Sequence, residues 1–366
     1  MGILDSMFLE KADKILFLSH LAIGDFVYLA PYLKKLSEKY PHLKLDFLID
    51  ETRGKHSFWS FKFCQKASVF DWAEKCSFFS KIYRVCSSKK VFNSVLGQVR
   101  RERYPIVVSL ASIRLSRYIE YSCEISPDGF IVAVGCGDNK IDKKINVSLE
   151  ISALSNKDHV SDSYGVWFKE LFGLELSKNE RLPSIDIPSQ WQNNAKGLLE
   201  KLGVNLNESD EKRNLIFINA FASNEKRSWP IKNVEKLISN LKRNSFFSNT
   251  VFIVNLSPEN IKKHAKTLRN DLLNKIFLFS ATENFFQLPA ILSFCNLVVS
   301  TETSTMHLAR SLNIPLVALM RSKNPEWRPY GVSKKDIIFA ENKKKIKSIS
   351  VEVVENKIKH FYKIKI

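Results

Sequence analysis

Residues 300–307 read Ser-Thr-Glu-Thr-Ser-Thr-Met-His, directly after the apolar run Leu297-Val298-Val299. Five of the six residues from Ser300 to Thr305 carry a hydroxyl. The apolar run reads as a buried strand, which puts Thr303, Ser304 and Thr305 at the N-terminus of the following helix. Such an end presents unpaired backbone N–H groups and the positive end of the helix dipole. Hydroxyls beside it add donors, and together they suit a phosphate or diphosphate. One Ser or Thr is enough to cap a helix, so the surplus points to an anion. Glu302 suits sugar hydroxyls better than phosphate oxygens. His307, in the first helical turn, is placed either to reach a ligand or to pack against the strand.

Two further places carry chemistry. The loop Asn224-Glu225-Lys226-Arg227-Ser228-Trp229-Pro230 follows the strand-like run 215–220. Lys226 and Arg227 can neutralise a diphosphate there, Arg227 through its planar bidentate fork, and Trp229-Pro230 stiffens the loop. Near the front, Gly24-Asp25 closes the first strand–turn–helix unit. Glycine permits a tight turn and a close substrate approach. Asp25 at the helix start is kept ionised by the dipole. It reads as a helix cap or as a general base for an acceptor hydroxyl.

The elements that position these residues alternate along the chain. Apolar strands are expected at 14–19, 44–49, 106–110, 130–134, 215–220, 251–256, 276–279, 297–300 and 316–319. Helical stretches lie between them, including one from about Phe26 to Tyr40, one over 162–172 stopping at Gly173, and one across 233–241. Continuous apolar strands separated by helices imply parallel sheets covered on both faces. The Pro-containing stretch 182–190 reads as a linker. The fold class is therefore α/β, with two Rossmann-like domains facing a cleft, where ligands bind beyond the carboxyl ends of the strands.

With 366 residues and 45% hydrophobic content, the chain is long enough for two cores. Its net charge of +18 (56 basic minus 38 acidic) favours an anionic partner. The six cysteines are scattered without a C-x-x-C pair, which argues against structural zinc and a disulfide framework and fits a reducing compartment. No stretch reaches the roughly 18 apolar residues that span a bilayer. The segment 55–81 interleaves aromatic residues with lysines and suits either core packing or docking on an anionic membrane face. No RNP, KH or helix-turn-helix signature supports a nucleic-acid partner.

Taken together, three segments resemble glycosyltransferase family nine, the lipopolysaccharide heptosyltransferases. "ILFLSHLAIGDFVYLAPYLKKLSEKYP" (15–41) is similar to the family's opening strand, Gly-Asp turn and helix. "FINAFASNEKRSWPIKNVEKLISNL" (217–241) is similar to its strand, basic-x-Trp-Pro loop and helix. "LPAILSFCNLVVSTETSTMHLARSLNIPLVAL" (288–319) is similar to the signature ending in acid-Thr-x-x-x-His-Leu-Ala.

The resemblance implies a GT-B fold, with an acceptor-binding domain over 1–188 and a nucleotide-sugar-binding domain over 189–366. The last helix, 350–364, would be free to pack back toward the first domain. It also implies an inverting, metal-independent enzyme without a cofactor. The donor implied is ADP-heptose, and the acceptor is the lipid A–core at the cytoplasmic face of an anionic inner membrane. On the matching positions, Asp25 is the base, next to Gly24. Lys226 and Arg227 meet the diphosphate, Glu302 is the acidic sugar-binding position, and Thr303, Ser304 and Thr305 form the phosphate turn, with His307 behind them. Three departures bear on the donor rather than on the reaction type: Ser19 where many members have Arg, Ser304 in place of a common Gly, and Asn255-Leu256 where paired glycines are frequent. A different nucleotide sugar, or an epimerase acting on one, is the competing expectation.

Overall fold

The computed structural model describes residues 2–4, 6–50, 69–85, 89–150, 159–206, 214–222, 224–262, 275–322, 325–341 and 345–363. The chain divides into two compact units, Met1–Leu182 and Pro183–Ile366. Each is organised around one six-stranded sheet.

In the first unit the strands are β1 (Lys14–Ser19), β2 (Lys44–Asp50), β3 (Lys81–Val85), β4 (Ile106–Ser109), β5 (Phe130–Val134) and β6 (Val147–Leu149), in spatial order β3-β2-β1-β4-β5-β6. In the second they are β7 (Leu215–Asn219), β8 (Val251–Asn255), β9 (Ile276–Phe279), β10 (Leu297–Thr301), β11 (Leu316–Arg321) and β12 (Ile337–Ala340), in order β12-β11-β10-β7-β8-β9. Every pairing is parallel. The central strands β1, β4, β7 and β10 are buried along nearly their whole length, as strands covered on both faces must be. Strand order reverses between β1 and β4 in one unit and between β7 and β10 in the other, the switch points at which open parallel sheets hold ligands.

Three strands, β3, β6 and β12, were not expected from the sequence. All three lie at sheet edges. Two are half-exposed and short on apolar residues, Lys-Ile-Tyr-Arg-Val and Val-Ser-Leu, so they lack the continuous apolar run of an inner strand.

Helix α1 (Ile23–Lys39) starts a turn earlier than the apolar spacing suggests. Gly24 and Asp25 therefore lie inside its first turn, not in the preceding loop. Phe26, Leu29, Leu33 and Leu36 are fully buried on its inner face. Helix α2 (Val160–Phe172) stops at Gly173, whose φ of 60° suits a residue without a Cβ. It packs on α1 through small, specific contacts. The Tyr32 hydroxyl donates to the Ser161 carbonyl (2.9 Å), and the Tyr28 ring stands edge-on to His159 at 4.7 Å. Gly165 leaves room for Tyr32: a Cβ there would stand 2.9 Å from the Tyr32 hydroxyl. The rings of Phe47, Phe168 and Phe172 each lie 6.1–6.3 Å from that of Phe17, and Phe168 is 5.3 Å from Tyr32.

In the second unit, helix α3 (Ile231–Lys242) and helix α5 (Val351–Phe361) cover one face of the sheet together. Val234, Leu237, Ile238 and Leu241 meet Val351, Val354 and Ile358 in a single cluster. Asn240 donates to Glu355 (2.8 Å) and Lys236 pairs with Glu352 (2.7 Å) along the rim. The final helix thus lies against its own unit. Of the aromatic segment 55–81, residues 55–68 fall outside the described residues, whereas Phe70 and Trp72 are core residues.

Gly165→Ala is expected to destabilise the first unit by about 1–3 kcal/mol, the usual penalty for an overpacked core. Combined with Tyr32→Phe, which removes the hydroxyl in the way, the added loss should shrink. Urea denaturation of the single and double variants checks this, and strict additivity would contradict the assigned contact.

Candidate active site

The first unit presents Asp25 beyond the carboxyl end of β1. Ser19, the last residue of that strand, is buried, and three residues later the chain enters α1. Asp25 is the third helical residue. Its Oδ2 accepts the Ala22 backbone N–H at 2.7 Å, so the carboxylate closes the helix start and is held there in the field of the dipole. Asp25 is half-buried. Its charge also reaches Tyr164 on α2: burial, and then the Asp25 carboxylate, push that phenol well above its ordinary pKa. At the end of the neighbouring strand, buried Asp50 accepts the Tyr118 hydroxyl (2.7 Å). Burial and the Asp50 charge keep that phenol protonated too.

The second unit builds its site across the switch point between β7 and β10. Asn219 ends β7 and is 3% exposed. Its Nδ2 donates to Thr303 Oγ1 (2.8 Å) and lies 3.3 Å from Ser300 Oγ. Its Oδ1 accepts Nδ2 of Asn255 at the end of β8 (2.8 Å). Thr303 is the N-cap residue of helix α4 (Ser304–Ser311), yet its hydroxyl makes no capping bond. The side chain that would ordinarily cover the first N–H groups is turned toward Asn219 instead. The first turn of α4 keeps its positive end without a side-chain cap.

The loop after β7 approaches the same place. Asn224 caps a single 3-10 turn, Glu225–Arg227, through its Oδ1 and the Lys226 N–H (2.9 Å). Ser228 Oγ accepts the Ala222 N–H at 3.0 Å. Trp229, wholly buried, sends its N–H to the Ala220 carbonyl (2.7 Å) and its Nε1–H to the Ile349 carbonyl (2.9 Å). So anchored, the loop leaves Lys226 exposed and brings Arg227 Nη1 to 3.4 Å from the Glu302 carbonyl. Arg227 and the hydroxyl-rich turn thus meet at one end of one sheet.

Three residues singled out in the sequence lie deeper than a ligand contact requires. Glu302 is 7% exposed, and both of its oxygens are engaged: Oε2 by Arg321 Nε (2.7 Å) and Oε1 by the Arg321 backbone N–H (3.1 Å). Thr305 and His307 are buried, at 2% and 4% exposed. Thr305 thus offers the site its backbone N–H, and His307 packs beneath the turn, one of its two expected placements. Asn219 and Arg321 are additions that spacing alone did not flag. A polar residue closing an apolar strand, as in Leu-Ile-Phe-Ile-Asn and Leu-Val-Ala-Leu-Met-Arg, was the available signal. Among the described residues no three His, Cys, Asp or Glu side chains come together as a group fit to hold a metal ion.

The profile described as "Glycosyltransferase family 9 (heptosyltransferase)" matches residues 155–358, more than half of the chain, and spans all the second-unit groups named above. The chain belongs to glycosyltransferase family 9. No curated protein sequence matches it significantly. Among solved structures, the family 9 glycosyltransferase from Veillonella parvula DSM 2008 is similar over 95% of this chain and 96% of its own, with 18% identity and a TM-score of 0.74. E. coli ADP-heptose lps heptosyltransferase II follows with 13% identity, 95% and 98% coverage and a TM-score of 0.66. The E. coli heptosyltransferase WaaC with ADP gives 13% identity, 95% and 99% coverage and a TM-score of 0.63. The two sheets are those of the GT-B fold. This family 9 enzyme is a glycosyltransferase, and its hydroxyl-rich turn and basic loop both lie within the matched region.

Asn219→Ala would leave the Asn255 amide and the Thr303 hydroxyl without their shared partner. Both groups are half-buried and can turn to water, so each lost bond is expected to cost about 0.5–1.5 kcal/mol, and a loss of that size is expected in urea denaturation of the second unit. A variant as stable as the parent would remove the network as a structural element.

Proposed function

We propose that this chain transfers a heptose from ADP-heptose to the inner core of lipopolysaccharide, with inversion at the anomeric carbon and without a metal ion. The observation that carries the reading is the meeting of Arg227 with the turn at Glu302 and Thr303, where a side-chain-uncapped helix start and a guanidinium lie side by side. Sugar nucleotides are the donors whose leaving group is a diphosphate. In this reading Lys226, Arg227, the Thr303 and Ser304 hydroxyls and the N–H groups of Ser304 and Thr305 meet the charge that develops as the sugar–phosphate bond breaks. Glu302 and His307 lie buried beneath that turn and support it.

Asp25 acts on the other reactant. Its carboxylate takes the proton of the attacking acceptor hydroxyl as the new bond to the anomeric carbon forms, and Gly24 keeps the backbone beside it free of a side chain. Tyr164 stays a neutral phenol next to it, a fixed dipole that does not compete for the proton. The bond from the anomeric carbon to the diphosphate breaks on the opposite face, which gives inversion. The structural neighbours include the E. coli ADP-heptose lps heptosyltransferase II and WaaC with ADP, which supports an adenine nucleotide donor. The net charge of +18 supports a lipid-borne acceptor at the cytoplasmic face of an anionic membrane.

A second reading rests on Asn255. It fills the end of β8 with a side chain fixed to Asn219, where the resembled family often has only glycine, and so favours a different nucleotide or sugar on the same turn.

Asp25→Ala is expected to bind ADP like the parent and to lose about 10²–10⁴-fold in turnover, the usual contribution of a positioned general base. Full activity would remove Asp25 from the mechanism. Release of ADP from ADP-heptose should depend on added deacylated core oligosaccharide and persist in EDTA. Turnover without acceptor would indicate an epimerase or hydrolase, and loss in EDTA would indicate a metal.

A further inference from the structure

Residue 302 lies between two guanidinium groups. Arg227 donates to its backbone carbonyl and Arg321 holds both oxygens of its carboxylate. A carboxylate buried to 7% exposure immediately before an anion-binding turn is unfavourable twice over. It loses its hydration, and it repels the diphosphate that the turn is built to attract. Arg321 offsets both effects.

The geometry of Arg321 goes further than compensation. β10 and β11 run in register with Thr301 opposite Leu319. Two residues on, past the paired stretch, the Arg321 backbone N–H meets Glu302 Oε1 at 3.1 Å, which sets Arg321 beside the turn. A guanidinium carries five N–H donors. The Nε–H is directed to Glu302, which orients the planar fork and leaves its two terminal nitrogens directed elsewhere. The Arg321 side chain is 19% exposed, more than its partner at 7%. The pair is therefore asymmetric, with a buried acid behind and a partly accessible cation in front.

We propose that Arg321 is a donor-binding residue whose terminal Nη groups contact the leaving diphosphate, with Glu302 as the anchor that aims it. This rests on the second unit being the site of the nucleotide sugar. It gives the acid of the turn a different part from direct sugar binding: Glu302 acts through Arg321. It also adds a third cation to Lys226 and Arg227, on the opposite side of the turn.

The test is calorimetric titration of the full chain with ADP, UDP and GDP. Replacing Arg321 alone by Met leaves a buried, unpaired carboxylate, so the decisive comparison is Glu302→Gln against Glu302→Gln/Arg321→Met, with thermal unfolding midpoints as a check on the fold. If Arg321 meets the diphosphate, the double variant binds at least tenfold more weakly than Glu302→Gln. If Arg321 serves only to neutralise Glu302, the two bind equally, and the proposal is overturned. Arg321→Lys, which keeps the positive charge for Glu302 but lacks the fork, should bind at least threefold more weakly than the parent; unchanged affinity would also count against Arg321. A parent chain that binds none of the three nucleotides removes the donor-site reading itself, and the proposal with it. A parent that binds, with variants that match it, removes Arg321 alone.

Discussion

The hydrogen bond from Asn219 Nδ2 to Thr303 Oγ1, 2.8 Å long, joins the two strand ends at which the second sheet reverses direction. It is the shortest of several ties between the turn before α4 and the end of β7, beside Ser300 Oγ at 3.3 Å and Thr301 Oγ1 on the Asn219 carbonyl at 3.4 Å, and without it the hydroxyl of Thr303 would be free to fold over the helix start. With it, the first turn of α4 stays open while Arg227 is delivered from the other strand. Asn255 extends the tie to a third strand. The bonds are neutral and centred on the buried Asn219, whose amide donates on one side and accepts on the other, so the network rigidifies the strand ends it joins.

Parallel architecture explains why this is the place. In a parallel sheet every strand brings its carboxyl end to the same side, and each following helix starts there with its positive pole. The interior strands can be entirely apolar because their backbone groups are satisfied by neighbours on both sides. Polar side chains that close such strands, Asn219, Asn255, Thr301 and Arg321 here, are then free to serve the site. In the first unit, Ser19 and Asp50 occupy the equivalent positions.

Much of this was legible in the residues. The apolar runs marked nine of the twelve strands, because β1, β2, β4, β5, β7, β8, β9, β10 and β11 carry continuous hydrophobic stretches. β3 and β6 escaped because an edge strand has one pairing neighbour and needs less apolar surface, whereas β12, Ile-Ile-Phe-Ala, is a short apolar run of four residues that was passed over. The hydroxyl-rich turn and the basic loop stood out because their residue types are unusual for capping alone. Which oxygens and nitrogens meet could not be read in advance. Glu302 and Arg321 are 19 residues apart, and Asn219 and Thr303 are 84 apart. Their pairing follows from the strand order, which spacing does not specify. The start of α1 was placed late because Ile23 and Gly24 show no helical periodicity; the helix begins there because Asp25 bonds back to Ala22.

Trp229 holds the basic loop to the carbonyl of Ile349, 120 residues along the chain. The loop therefore cannot mature on its own. During synthesis, the segment bearing Lys226 and Arg227 leaves the ribosome long before its anchor does. The nascent second unit must wait for the stretch leading into the final helix before its cationic rim takes shape. Substitutions around residue 349 thus bear on the shape of the basic loop through the indole they support.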